Sequence, residues 1–393
     1  MRLSMACEQA APAQVATTQA DIMAAKQSFW GKYQSDVHTP SEQAKRDADG
    51  VFARLKRETA DAMPPLLRLS LTAENLTNSA NVREAIKSLA RESSPGCDFI
   101  PLEFYLVHID KVAPLLSKLY REALKKRRMT DSMLRSVLSP IYKNKGSTAD
   151  CAMYRPISVT TMAYRIFGRC IAQHLNKAVR FLIGDPQTGF SPGRTSDENV
   201  SSVRGTIHAV NNQRPDDGGV MVLLDNTKAF DRLQHDFMFR TLEAFNLPPC
   251  LVDAVRTLYA DAETVMKTNG EVSPDAFKCL SGVKQGCPLS PLLYNLVQEV
   301  QLRMIRQDQS IVGISIPDAD GRTAPSALRG RSPELKERGL VDDTMVALAS
   351  ANSIPALIRV LDRFEAMSHN RMNLSKTVCI LLGDELARLR RQR

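Results

Sequence analysis

Two apolar stretches that end in carboxylates do most to limit what this chain can fold into. Residues 218–225 (GGVMVLLD) form a glycine-bounded run of aliphatic and β-branched side chains, the pattern of a buried strand, and the run stops at Asp225. Residues 338–350 (RGLVDDTMVALAS) set Asp342-Asp343 between Leu340, Val341 and Met345, Val346, Leu348, a strand–turn–strand profile. Taken singly, each is ordinary: an aspartate at a strand end often caps the next turn, and an Asp-Asp turn is often solvated. Taken together they differ. Adjacent like charges between apolar strands cost free energy unless a cation neutralises them. Three oxygen donors without a histidine or cysteine partner suit a hard divalent ion, Mg²⁺ or Mn²⁺.

Composition narrows the classes further. The 393 residues, 43% of them hydrophobic, suffice for two or three structural units with a real core, which excludes a disordered tail. No apolar run approaches the 18 residues of a membrane span. Lys+Arg exceed Asp+Glu by 52 to 43, a formal +9, which points toward a polyanion such as nucleic acid. The eight cysteines are scattered without a CxxC, so zinc is not expected and the thiols fit a reducing compartment. The opening MRLSMACEQAAPAQ lacks the apolar core of a secretory signal, so a cytoplasmic or nuclear location is expected. Other catalytic patterns are missing: there is no HExxH and no GxSxG, and GFSPGRTS (189–196) lacks the lysine of a phosphate-binding loop.

Along the chain, residues 1–70 read as a helical or loose extension holding the only tryptophan, Trp30. Val82, Ile86 and Leu89 mark a helical face that ends at Ser93-Ser94-Pro95-Gly96. Helix is expected through 102–128, closing on the basic run Lys125 to Arg128, then strand from 137 and a long helix near 160–180. Helices at 234–245 and 250–261 precede Asn269-Gly270, a hairpin signal. A helix from about Pro291 to Arg306, with Ser290 as its N-cap, leads into a polar insert at 317–338 expected to be a mobile loop. The order of elements argues for an α+β fold.

At this point the sequence resembles the reverse transcriptases of non-LTR (LINE-type) retrotransposons. The resemblance is carried by LLDNTKAFDR (223–232), GVKQGCPLSPLLYNL (282–296), LVDDT (340–344) and NLSKT (373–377). Upstream, SSPGCDFIPLEFY (93–105), PIYKNKG (140–146), YRPIS (154–158) and QTGFSPGR (187–194) stand in the family's order. It implies a right-hand polymerase with a fingers-like region at 71–217 and a palm with an antiparallel sheet at 218–383. The homology would run over about 135–383, with a basic tail at 384–393.

The resemblance also implies roles. Asp225 and Asp342 would be the metal ligands of a two-ion nucleotidyl transfer, with Asp343 completing the acidic turn. Ala229 and Phe230 would lie beneath the incoming sugar, where a flat ring leaves no room for a 2′-hydroxyl. That reading favours dNTPs and argues against an RNA-dependent RNA polymerase. Gln285 and Gly286 would contact nucleotide and template, while Lys143 and Arg155 would grip the triphosphate. Lys376 would give a proton to the leaving pyrophosphate, and Arg194 would touch template or primer. The implied partners are an RNA template, a DNA or RNA primer and dNTPs.

Departures from the family pattern stand beside these roles. Leu340-Val341 precede the acidic pair where the group more often has an aromatic residue and alanine, and His369 stands near a usual glycine. After residue 383 little chain remains for a thumb, and no endonuclease precedes the homology. The alternative expectation is therefore a truncated, catalytically silent retroelement protein that binds nucleic acid.

Overall fold

The structure, a computed structural model, describes residues 16, 18–191, 193–208, 210–211, 218–315, 334–385 and 389. The insert expected at 317–338 therefore lies outside the described residues up to 333, as does nearly all of the basic tail.

The described residues form two four-stranded sheets packed among helices. The first contains β1 (Arg135–Tyr142), β2 (Tyr154–Val159), β4 (Glu263–Thr268) and β5 (Glu271–Lys278) in the order β2-β1-β4-β5. The second contains β3 (Gly219–Leu224), β8 (Glu337–Leu340), β9 (Asp343–Leu348) and β10 (Val378–Leu382) in the order β10-β3-β9-β8, antiparallel throughout. The short strands β6 (Ile314–Ser315) and β7 (Glu334–Leu335) pair with each other. Mixed helix and sheet with largely antiparallel pairing agrees with the α+β expectation.

The β4–β5 hairpin turns at Asn269 (φ 51) and Gly270 (φ 92), two consecutive left-handed residues that match the strand twist. Its first strand pairs in parallel with β1, from Arg135 opposite Glu263 to Leu138 opposite Met266. A boundary drawn at 217/218 therefore does not separate the sheets, because residues 263–278 return to the first one.

Two helices carry the core. Met162–Leu182 is capped by the Thr161 hydroxyl, which accepts from the Tyr164 N–H, and buries residues on most of its surface. Ser290–Gln307 is more deeply embedded still, with even Asn295, Gln298 and Glu299 fully buried. Its N-cap is Leu289, a correction to the expectation of Ser290. The Ser290 hydroxyl instead donates to the Lys284 carbonyl at 2.8 Å, because the preceding loop folds back over the first turn.

Near the N-terminus the helical form is the one observed. Gln19–Gln34 lies on the first sheet, where Trp30 is fully buried against Leu138 and Met266. Glu42–Glu58 crosses helices His235–Ala244 and Ile354–Ser368, with Phe52 5.1 Å from Phe237 and Phe237 5.8 Å from Phe364. Among the described residues no helix is long and apolar enough to cross a membrane.

One half-buried histidine should make the fold pH-sensitive. His235 donates from Nε2 to the Gly282 carbonyl at 2.8 Å and stands edge-on to Tyr259. Burial pushes its pKa down to about 4, below the roughly 6.5 of an unfolded chain. The unfolded state then binds the proton that the folded state refuses. Stability from this residue is complete above about pH 6.5 and falls by on the order of 3 kcal/mol as pH drops toward 4. Urea denaturation between pH 7.5 and 4.5 should show that loss, and His235→Gln should make the slope shallower. An unchanged slope in the variant would contradict the assignment.

Candidate active site

The second sheet brings the three carboxylates to one end. β3 ends at Leu224, opposite Thr344 of β9, so Asp225 follows directly beside the acidic turn. The segment after it is fastened to 371–373: the Asn373 N–H donates to the Asp225 carbonyl and the Thr227 N–H to that of Arg371, both at 2.7 Å. In the β8–β9 hairpin Leu340 faces Asp343, leaving Val341-Asp342 as a two-residue turn. Val341 has φ 62, and it is the one β-branched residue with positive φ among the described residues. Such a turn position favours glycine, and a non-glycine residue held there costs roughly 1–3 kcal/mol.

Electrostatics at this end ask for a cation. Burial pushes the Asp342 carboxyl up, and the charges of Asp343 and Asp225 add to the push. Burial and then Asp225 do the same to Asp343. The Lys376 ammonium lies 3.2 Å from Asp225 Oδ2. Among the described residues no three acidic, thiol or imidazole groups close into a ready-made metal cage. The donor set is nonetheless all oxygen and carries excess negative charge, which fits a hard divalent ion competing with Lys376.

Close to the carboxylates lies a stacked aromatic pair. The half-buried Phe230 stacks on the buried Tyr294 with centroids 4.8 Å apart and planes 12° from parallel. Tyr294 is fixed in turn, accepting from Asn370 Nδ2 at 2.8 Å and Asn226 Nδ2 at 3.4 Å. Asn226 also donates to the Asp342 carbonyl at 3.2 Å, linking the end of β3 to the acidic turn. Ala229, expected beneath the sugar, instead has its methyl buried in the hydrophobic core.

The glycine-containing loop before helix Ser290–Gln307 is pinned on both sides. The Val283 N–H donates to the Phe230 carbonyl, and the Ser158 N–H of β2 donates to the Gln285 carbonyl, each at 2.7 Å. Gly286 has φ 116, and a Cβ there would meet the Ser158 carbonyl at 3.0 Å, so this approach requires glycine. Gln285 Nε2 donates to the buried Asp231 at 3.2 Å. Asp231 is pushed up by burial, against the pull of Lys228 and Gln285.

Cations gather opposite. Lys143 donates to the Ala152 carbonyl at 2.9 Å across the β1–β2 connection, and exposed Arg155 stands on β2. Burial pulls Lys143 down and the charges of Lys376, Arg155 and Lys145 push the same way, so these cations share one region. Arg194 does not join them. Its guanidinium donates to the carbonyls of Gln187 (2.9 Å) and Ile183 (3.1 Å) and pairs with Asp185, so it braces its own loop, a correction to the template contact expected for it.

Residues 141–387 match the family described as reverse transcriptase (RNA-dependent DNA polymerase), well over half of the chain. The chain belongs to that family. It is 30% identical over 301 residues to the transposon TX1 uncharacterized 149 kDa protein of Xenopus laevis, covering 76% of this chain and 22% of the relative. Against the retrovirus-related Pol polyprotein from type-2 retrotransposable element R2DM of Drosophila melanogaster it is 34% identical over 168 residues, 42% of this chain and 15% of the relative. Against the Pol polyprotein from a type-1 R2 element of Nasonia vitripennis it is 32% identical over 185 residues, 46% and 17%. These are non-LTR retrotransposon proteins, and the chain spans about a fifth or less of their length.

The reverse transcriptase match contains every site residue expected from sequence and leaves helices Gln19–Gln34 and Glu42–Glu58 outside it. Sequence reasoning passed over several residues that shape this site. Lys228, Asp231, Tyr294 and Gln187 lie inside the quoted motifs, yet nothing local sets them apart from their neighbours. Lys228 is the clearest case. It is left-handed (φ 52), and its Nζ lies 4.1 Å from the centre of the Trp30 ring, so the first helix closes over the reverse transcriptase motif that follows Asp225.

Proposed function

We propose that this chain carries out RNA-directed DNA synthesis, adding dNTPs to the 3′-hydroxyl of a DNA or RNA primer on an RNA template. The second sheet would be the palm and the β1–β2 hairpin part of the fingers. The observation that carries the reading is the meeting of Asp225, Asp342 and Asp343 at one sheet end close to the Phe230–Tyr294 stack.

Divalent ions held there, two Mg²⁺ or Mn²⁺, would activate the attacking hydroxyl and neutralise the leaving pyrophosphate. Asp225 and Asp342 are the ligands in this reading, and Asp343 adds charge beside them. Phe230, unable to retreat because Tyr294 backs it, bars a 2′-hydroxyl. Lys143 and Arg155 hold the triphosphate, the arginine with two parallel hydrogen bonds. Gln285 and Gly286 offer amide and backbone to nucleotide and template. Lys376 stands close enough to Asp225 to give a proton to pyrophosphate as it departs.

Primer extension on an RNA template tests the proposal. Incorporation that requires Mg²⁺ is expected. Salt-sensitive RNA binding without incorporation would overturn it in favour of a silent nucleic-acid-binding protein.

A further inference from the structure

We propose that Gln187 is the positioning residue of the acidic turn, holding the backbone of Val341 in its left-handed conformation and so setting where Asp342 and Asp343 stand. This inference rests on the reading of those carboxylates as ion ligands.

The clamp is two-sided. Gln187 is fully buried and touches no open surface. Its Oε1 accepts from the Val341 N–H at 3.1 Å, and its Nε2 donates to the Val341 carbonyl at 3.4 Å. One side-chain amide thus satisfies both backbone groups of the residue whose conformation is least favourable. The same Oε1 also accepts from the Gly189 N–H at 3.1 Å, which fixes the amide's own orientation.

The backbone around the clamp is tied to the same hairpin. The Gly339 N–H donates to the Pro186 carbonyl at 2.9 Å and the Thr188 N–H to the Gly339 carbonyl at 3.0 Å, a short parallel pairing along β8. Asn199 Nδ2 adds a bond to the Gly339 carbonyl at 2.9 Å. At Gly189 a Cβ would lie 2.6 Å from both the Val341 nitrogen and its Cγ2, so only glycine lets the loop come this close. Arg194 closes the arrangement from behind through the Gln187 carbonyl. A line of named bonds therefore runs from Arg194 through Gln187 to Val341 and ends at the two carboxylates.

Glycine at 341 would adopt the same backbone without help, which supplies the test. Gln187→Met keeps the volume and removes both bonds to Val341 together with the one to Gly189. Three quantities separate a positioning role from plain support of the fold: thermal melting, Mn²⁺ affinity by electron paramagnetic resonance without turnover, and single-turnover incorporation resolved into rate and dNTP affinity. Gln187→Met is expected to melt cooperatively, to lose about tenfold or more in Mn²⁺ affinity and incorporation rate, and to keep dNTP affinity within about twofold, since the basic hairpin is untouched. Adding Val341→Gly should restore most of the Mn²⁺ affinity and rate. Should Gln187→Met fail to fold, Gln187→Asn keeps the amide but is one methylene too short to span both backbone groups of Val341, and it carries the same expectations.

Unchanged Mn²⁺ affinity and rate in these variants would overturn the proposal. So would losses that Val341→Gly does not repair. Asp342→Ala distinguishes the two levels. If Mn²⁺ binding and incorporation survive it, the ion-ligand reading itself fails; if they vanish there yet persist in Gln187→Met, only the clamp fails.

Discussion

Asp342→Ala is expected to lower nucleotide incorporation by at least about 10³-fold while leaving the chain folded. The carboxylate is half-buried and raised by its neighbours Asp343 and Asp225, so the fold holds it against an electrostatic cost. Alanine removes that repulsion and keeps the turn, because the hairpin bonds around Asp342 are made by backbone and by Gln187, Asn226 and the β8–β9 ladder. In the absence of divalent ions the variant should therefore melt at the same temperature as the parent or higher. Millimolar Mg²⁺ should raise the melting temperature of the parent and not of the variant, since only a species that binds the native state shifts unfolding. Loss of function with gain of stability is the signature of a residue kept for chemistry. A variant that loses activity only because it unfolds would contradict the account.

Phe230→Ala is the second large effect. The ring is held flat by its stack on Tyr294, and Tyr294 is anchored by Asn226 and Asn370, so it has no room to move aside for a 2′-hydroxyl. Removing it should reduce the preference for dNTP over rNTP, as a ratio of kcat/KM, by about 10- to 200-fold. Most of the change should be faster ribonucleotide incorporation, with dNTP incorporation falling less. Tyr294→Phe keeps both rings but loses the hydroxyl that Asn226 and Asn370 hold, and it should lower the ratio by less than Phe230→Ala does. An unchanged ratio in Phe230→Ala would remove the ring from any role in sugar selection.

What could be read from the sequence was what neighbouring residues encode. Residues 218–225 form β3 within a residue, and Asn269-Gly270 forms the expected hairpin, because a glycine-bounded apolar run and a left-handed dipeptide are local instructions. The acidic turn was legible for the same reason: apolar residues on both sides of Asp342-Asp343 leave them little choice but a hairpin tip. What escaped notice depends on distant partners. Nothing near residue 263 says that β4 will run parallel to β1, or that Trp30 will cover Lys228. The burial of Gln187 was equally hidden, since a loop glutamine two residues before Gly189 carries no local mark of burial until β8 is placed against it. Arg194 was misread because a lone arginine in a loop carries no mark of whether phosphate or its own backbone will accept its hydrogen bonds.

Three aspartates at one end of an antiparallel sheet are proposed to support templated DNA synthesis by this chain. Single-turnover incorporation on an RNA template, with each of the four dNTPs supplied alone and Mg²⁺ present, tests it most directly. The prediction is incorporation of the complementary dNTP only, abolished by omitting Mg²⁺ and by Asp225→Ala or Asp342→Ala. Incorporation that ignores the template base, or that persists in both aspartate variants, would contradict it.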